Sequence, residues 1–68
     1  MIAVTVNGEP RDLEATTTVE TLVEMIGCGV RGVAVAVNSE IVARRVWADT
    51  TLAGGDRIEV LRAVQGGC

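Results

Sequence analysis

The sequence contains no histidine, tyrosine or phenylalanine, and its six basic residues are all arginine, so lysine is absent too. Each omission removes chemistry. Without imidazole there is no ready general base near neutral pH and no usual zinc ligand. Without lysine there is no Schiff base and no side-chain amine nucleophile. A chain with this inventory is not expected to be an enzyme by itself. Trp47 is the one aromatic residue, so the core must be built from Val, Ile, Leu and Ala. Two cysteines, Cys28 and Cys68, do not make a disulfide framework, and Cys28, between two glycines, reads as a small buried filler. No basic-plus-apolar leader opens the sequence, and no apolar run approaches a membrane span. A reducing cytoplasm is the expected compartment. The net charge of −3 and the lack of a basic stripe argue against nucleic acid.

What remains is half apolar, 49% of 68 residues, which is enough for one small core without metal or disulfide. A chain of this length buries only about 60% of its unfolded surface, so modest stability is expected. Along the chain, "IAVTVN" alternates, with Ile2, Val4 and Val6 on one face, and reads as a half-buried strand. Asn7-Gly8 tolerates positive φ at both positions and marks a hairpin turn, with "RDLEA" as the returning strand. "TTTVETLVEMIG" predicts a helix, with Thr17 as N-cap and Glu20 closing a capping box. Val19, Leu22, Val23 and Ile26 form its apolar stripe, and Gly27 and Gly29 end it.

"GVAVAVN" predicts a covered or central strand, because Val33, Val35 and Val37 alternate with alanines. "SEIVARRVW" reads as a short fourth strand with Arg44 and Arg45 near its end. Gly54-Gly55 forms a turn, and "RIEVLRAV" is the last strand, with Ile58 and Val60 inward and a blurred alternation at Leu61-Arg62. The order is ββαβββ. One helix with one apolar stripe covers one face of a mixed four- to five-stranded sheet, an α+β arrangement in the pattern of a β-grasp. A ferredoxin-like sandwich would need a second helix, which the sequence does not offer. Residues 1–64 then form the domain and residues 65–68 a tail.

That tail, "QGGC", raises the functional question. Gly66 and Gly67 carry no side chain, so with Gln65 they form a strip of backbone slim enough to thread a channel that any Cβ would block. A carboxylate at such an end is a poor electrophile until a partner enzyme converts it to an acyl adenylate. Sulfide, or a persulfide whose acyl disulfide product a thiol then cleaves, can displace AMP and leave a thiocarboxylate, a soft nucleophile on a tether. The missing lysines suit an activated acyl end, although a GC-rich genome, in which arginine codons dominate, is the weightier explanation.

The whole chain resembles the sulfur carrier proteins of the ubiquitin-like β-grasp superfamily, most closely the thiamine-thiazole type (ThiS). The residues that carry the resemblance are "VNGE", "TTVETLVE", "GVAVAVNSEIVARRVW" and "GGDRIEVLRAVQGG". It implies adenylation of Gly67 by an E1-like enzyme using ATP, with no cofactor bound by the carrier itself. It also implies sulfur donation to a thiazole synthase, or to a related synthase that makes another sulfur-containing metabolite. The other use of such a tail is conjugation to lysines of other proteins, as by a ubiquitin-like modifier, and a third reading leaves the glycines inert on an interaction module.

Cys68 departs from that family pattern, in which the second glycine is the terminus. Here the Gly67 carboxyl is held in an amide. Three explanations stand: a precursor trimmed after Gly67, by a metalloprotease in the relatives it resembles; an appended residue that serves as a handle; or a Cys68 thiol that itself carries persulfide. For docking to a partner, the expected surface is the far face of the sheet, Ala34, Ala36 and Leu61 with Arg62 at its rim, while Arg44 and Arg45 are candidates for an acidic groove. Trp47 reads equally as a partner anchor or as a cap on the core. Glu40, Asp49 and Asp56 read as solvated loop acids with no metal-ligand spacing.

Overall fold

The structure is a computed structural model that describes residues 1–26 and 32–62. Five strands form one sheet in the order β2-β1-β5-β3-β4. They are β1 (Ile2–Val6), β2 (Glu9–Leu13), β3 (Val33–Val37), β4 (Glu40–Val42) and β5 (Arg57–Arg62), with α1 (Val19–Ile26) between β2 and β3. The central strand, β5, is parallel to β1, and every other pairing among the described residues is antiparallel. One mixed sheet holding one helix is the β-grasp arrangement that the element order implies.

Side-chain alternation sets which face is buried. Val4, Val6, Val35, Ile58 and Val60 point to the helix side and are buried, together with Val19, Leu22 and Val23 of α1. The hairpin between β1 and β2 turns on Asn7 (φ 52°) and Gly8 (φ 84°), both in the left-handed region that a two-residue turn of this hand requires. The ladder between β3 and β5 runs unbroken from Val33↔Arg62 to Val37↔Ile58, so no bulge accompanies the blurred alternation at Leu61.

Four expectations need correction. The returning strand is Glu9–Leu13, two residues earlier at each end than "RDLEA", because a two-residue turn at Asn7-Gly8 lets pairing begin at once with Val6↔Glu9. The helix N-cap is Thr18, not Thr17: the Thr21 amide donates to Thr18 Oγ1 at 3.2 Å. Thr17 is instead buried, and its carbonyl accepts the Leu52 amide at 2.9 Å, which ties the helix entry to the segment before β5. The fourth strand stops at Val42, and Arg44 and Arg45 begin a 3-10 helix, Arg44–Asp49, rather than ending the strand. That turn rotates Trp47 into the core, where 2% of its surface remains exposed and its indole Nε1 donates to the Val42 carbonyl at 2.9 Å. Trp47 is therefore a core residue that seals the end of the sheet. Asp56, finally, is not a merely solvated acid. Its carboxylate accepts from Asn38 Nδ2 at 3.0 Å and from the Ala53 amide at 2.8 Å, which braces the Gly54-Gly55 turn. The expected helix stop at Gly27 and Gly29, and the filler role of Cys28, lie outside the described residues.

Candidate functional site

β5 is the strand that leads to the tail, and its position in the sheet follows from its sequence. Ile58 and Val60 are inward and almost fully buried, as suits a strand with a neighbour on each side. Its parallel pairing with β1 covers only Thr5↔Arg57 and Val6↔Ile58. Beyond that point β1 has turned away at Asn7, while β5 continues through Arg62 with β3 along its other edge. The chain thus reaches its tail from the centre of the sheet, at the end that carries the β1–β2 turn. Gln65, Gly66, Gly67 and Cys68, the residues singled out for threading, sulfur loading and trimming, lie outside the described residues, as does the side chain of Arg62.

The other predicted contact residues divide. Ala34 and Leu61 are cross-strand partners on the sheet face away from the helix; both are exposed, Leu61 at 64%. Ala36 lies on the same face but keeps only 8% exposure, because it sits between two longer side chains, its cross-strand partners Ile41 and Glu59. Arg44 and Arg45 are exposed, but the 3-10 helix that carries them packs against α1, so they lie apart from the apolar face. The structure adds Ile41, which is 73% exposed opposite Ala36 and was not singled out from the sequence. Its signal was available: in a strand of three residues, Glu40–Val42, an inward Val42 forces Ile41 outward. Ala34, Ile41 and Leu61 form a small apolar surface interrupted by the acid Glu59. Among the described residues no cluster of acidic, Cys or His side chains is able to hold a metal ion, and no helix is long and apolar enough to cross a membrane.

The ThiS family model matches residues 4–67, nearly the whole chain and including both tail glycines. The chain belongs to the ThiS family. A ThiS sulfur carrier protein from Thermus thermophilus is 46% identical over 61 residues, covering 90% of this chain and 94% of that relative. A crystal structure of a thiamine biosynthesis protein (ThiS) from Geobacter metallireducens superimposes with a TM-score of 0.78 at 29% identity, covering 96% of this chain and 99% of that one. A thiazole synthase from Paramagnetospirillum magneticum is 39% identical over 62 residues, but this chain, although 91% covered, spans only 19% of that relative's length. Family membership confirms the resemblance read from the sequence. Within the ThiS family match, Gly67 is the last residue and Cys68 lies beyond it.

Proposed function

We infer that this chain is a sulfur carrier that works in biosynthesis as a co-substrate and is itself acted on by other enzymes. The observation that carries the reading is the 46% identity to a ThiS sulfur carrier protein over nearly the full length of both chains, 90% and 94%. The chemistry follows from the tail. Hydrolysis of the Gly67–Cys68 amide frees cysteine and exposes the Gly67 carboxylate. An E1-like enzyme joins that carboxylate to the α-phosphate of ATP, releasing pyrophosphate. Sulfide sulfur then attacks the acyl carbon, AMP leaves, and the thiocarboxylate remains. ATP belongs to the partner, and the carrier needs no cofactor of its own.

The sulfur acceptor proposed is a thiazole synthase. Two relatives, from Paramagnetospirillum magneticum and Magnetococcus marinus, bear that name, and the segment each shares with this chain is about one-fifth (19%) of its length. A carrier-like segment and a synthase in one polypeptide are held at high effective concentration, which suits a donor and its acceptor. Ala34, Leu61 and Arg62, now with Ile41, are the proposed docking surface for the activating enzyme. Gln65, Gly66 and Gly67 are the threading segment. A trimming metalloprotease and a cytoplasmic setting complete the reading.

The test compares the full chain with a form ending at Gly67, each incubated with ATP, a sulfide source and an E1-like enzyme. The expected result is that the trimmed form alone gains the mass of one oxygen-for-sulfur exchange at its C-terminus. Sulfur transfer by the chain with Cys68 still attached overturns the trimming step. An isopeptide-linked ladder in place of the thiocarboxylate assigns the chain to protein modification.

A further inference from the structure

The hydrogen-bond ladder between β1 and β5 does not stop where β1 stops. The Thr5 amide donates to the Asp56 carbonyl at 3.0 Å, and the Asn7 amide donates to the Ile58 carbonyl at 2.9 Å. The next rung belongs to Val60, and by then the backbone of β1 has turned into β2. The Asn7 side chain fills that rung. Its Oδ1 accepts the Val60 amide at 2.8 Å, and its Nδ2 donates to the Val60 carbonyl at 3.3 Å. A carboxamide has the donor and acceptor of a peptide group, so it stands in for one more residue of β1. A second asparagine does related work at the other end of β5. Asn38, in the β3–β4 turn (φ 52°), accepts the Arg57 amide on Oδ1 at 2.9 Å and donates from Nδ2 to Asp56. A turn of this type needs only residues tolerant of positive φ, a demand that asparagine and glycine both meet without any side-chain hydrogen bond to a distant strand. The two bonds to a residue 53 positions away are therefore additional to the turn.

We propose that Asn7 is a positioning residue for the tail: its side-chain amide extends β1 by one rung to Val60 and thereby holds the β1 edge of β5 to within two residues of the strand's end at Arg62. This rests on the sulfur-carrier reading, because only then does the exit of the chain matter to a reaction. β5 carries the acyl end that a partner must receive. Held on both edges through Val60, it presents the residues beyond Arg62 from a fixed origin and heading. Held on the β3 edge alone, its last residues sample more directions, and productive entry into the partner becomes rarer. Asn7 does not touch the reacting carbon; it acts through Val60.

The experiment uses the form ending at Gly67 with four variants. Asn7→Gly keeps the turn and removes both bonds. Asn7→Asp keeps the acceptor for the Val60 amide but turns a carboxylate oxygen toward the Val60 carbonyl. Asn38→Gly removes a comparable clamp at the far end of β5. Asn7→Gln carries the same amide one methylene too far. Amide exchange at Val60 is expected to accelerate by on the order of tenfold in Asn7→Gly and to stay at the parent rate in Asn38→Gly. In ATP-dependent activation, Asn7→Gly and Asn7→Gln are expected to lower kcat several-fold with KM little changed, since the docking face is intact, and Asn7→Asp to fall between. Asn38→Gly, matched for stability, should leave kcat unchanged. Equal losses in Asn7→Gly and Asn38→Gly, or faster Val60 exchange without a fall in kcat, overturn the proposal. If the parent protein is never adenylated, the carrier reading fails and this role fails with it, whereas the exchange data still decide whether Asn7 clamps Val60.

Discussion

Trp47 donates its indole hydrogen to the carbonyl of Val42, five residues earlier, at 2.9 Å. The bond folds the end of β4 back over the core and anchors the ring that fills it. Trp47 is the largest fully buried side chain among the described residues, whose other core members are all aliphatic. Trp47→Ala should cost about 3–5 kcal/mol, a large share of the stability of so small a domain. Trp47→Phe keeps most of the volume but leaves the Val42 carbonyl without its donor, and should cost roughly 1–3 kcal/mol. Urea denaturation read by circular dichroism checks both. In the parent protein the same transition is visible in the emission of this single aromatic residue, which starts buried and ends in water.

That residue also shows where the sequence was legible and where it was not. Strands with strict alternation, such as Ile2–Val6 and Val33–Val37, and the helix stripe of Val19, Leu22, Val23 and Ile26 were readable because each pattern has one period and one face to bury. The segment "ARRVWAD" has no such period. Its conformation is set by the need to bury one indole, which is a tertiary demand, and so a 3-10 helix appeared where a strand was expected. The N-cap was misplaced by one residue for a related reason. Three consecutive threonines, Thr16 to Thr18, offer the same hydroxyl, and only the Thr18–Thr51 bridge and the Thr17–Leu52 bond decide among them. The sheet face away from the helix was only half legible: Leu61 and Ala34 are exposed as expected, but Ala36 is shaded by neighbours that sequence spacing does not reveal.

Thr18 gives a direct test of the cap. Its Oγ1 accepts the Thr21 amide and also lies 3.1 Å from Thr21 Oγ1. Thr18→Ala should lower stability by about 1 kcal/mol, and Thr18→Ser should restore most of the loss. Thermal unfolding monitored by helix circular dichroism distinguishes the two. Equal stability in Thr18→Ala and the parent would return the cap to another threonine.

Adjacent glycines in the turn before β5 should respond in opposite ways. Gly55 has φ +87°, and its amide donates to the Ala3 carbonyl at 2.7 Å. Space around it is open, so the strain of Gly55→Ala is purely conformational and should cost about 1–2 kcal/mol. Gly54 lies outside the left-handed region, and a Cβ there would meet only Ile2 at 3.9 Å, an ordinary contact. Gly54→Ala should therefore be neutral or stabilise by about 0.4–1 kcal/mol through the unfolded chain. Denaturant midpoints of the two single variants, at constant slope, read the contrast.

The exposed apolar face and the two arginines should prove separable. Ile41 and Leu61 stand outside the core, so Ile41→Gln and Leu61→Gln should change stability by no more than about 0.5 kcal/mol. If this face seats the activating enzyme, desolvation of two aliphatic side chains is lost on binding. The double variant should then weaken the complex by about 2 kcal/mol, which is more than tenfold in Kd. Arg44→Ala with Arg45→Ala removes charge from the 3-10 helix, on the α1 side of the sheet. Its effect should fall on the association rate and fade as salt rises, because exposed charges steer encounter more than they hold a complex. Titration calorimetry and stopped-flow association at two salt concentrations resolve these contributions. A salt-sensitive loss of affinity from the glutamine pair, or a salt-independent one from the alanine pair, would reverse the assignment of the two surfaces.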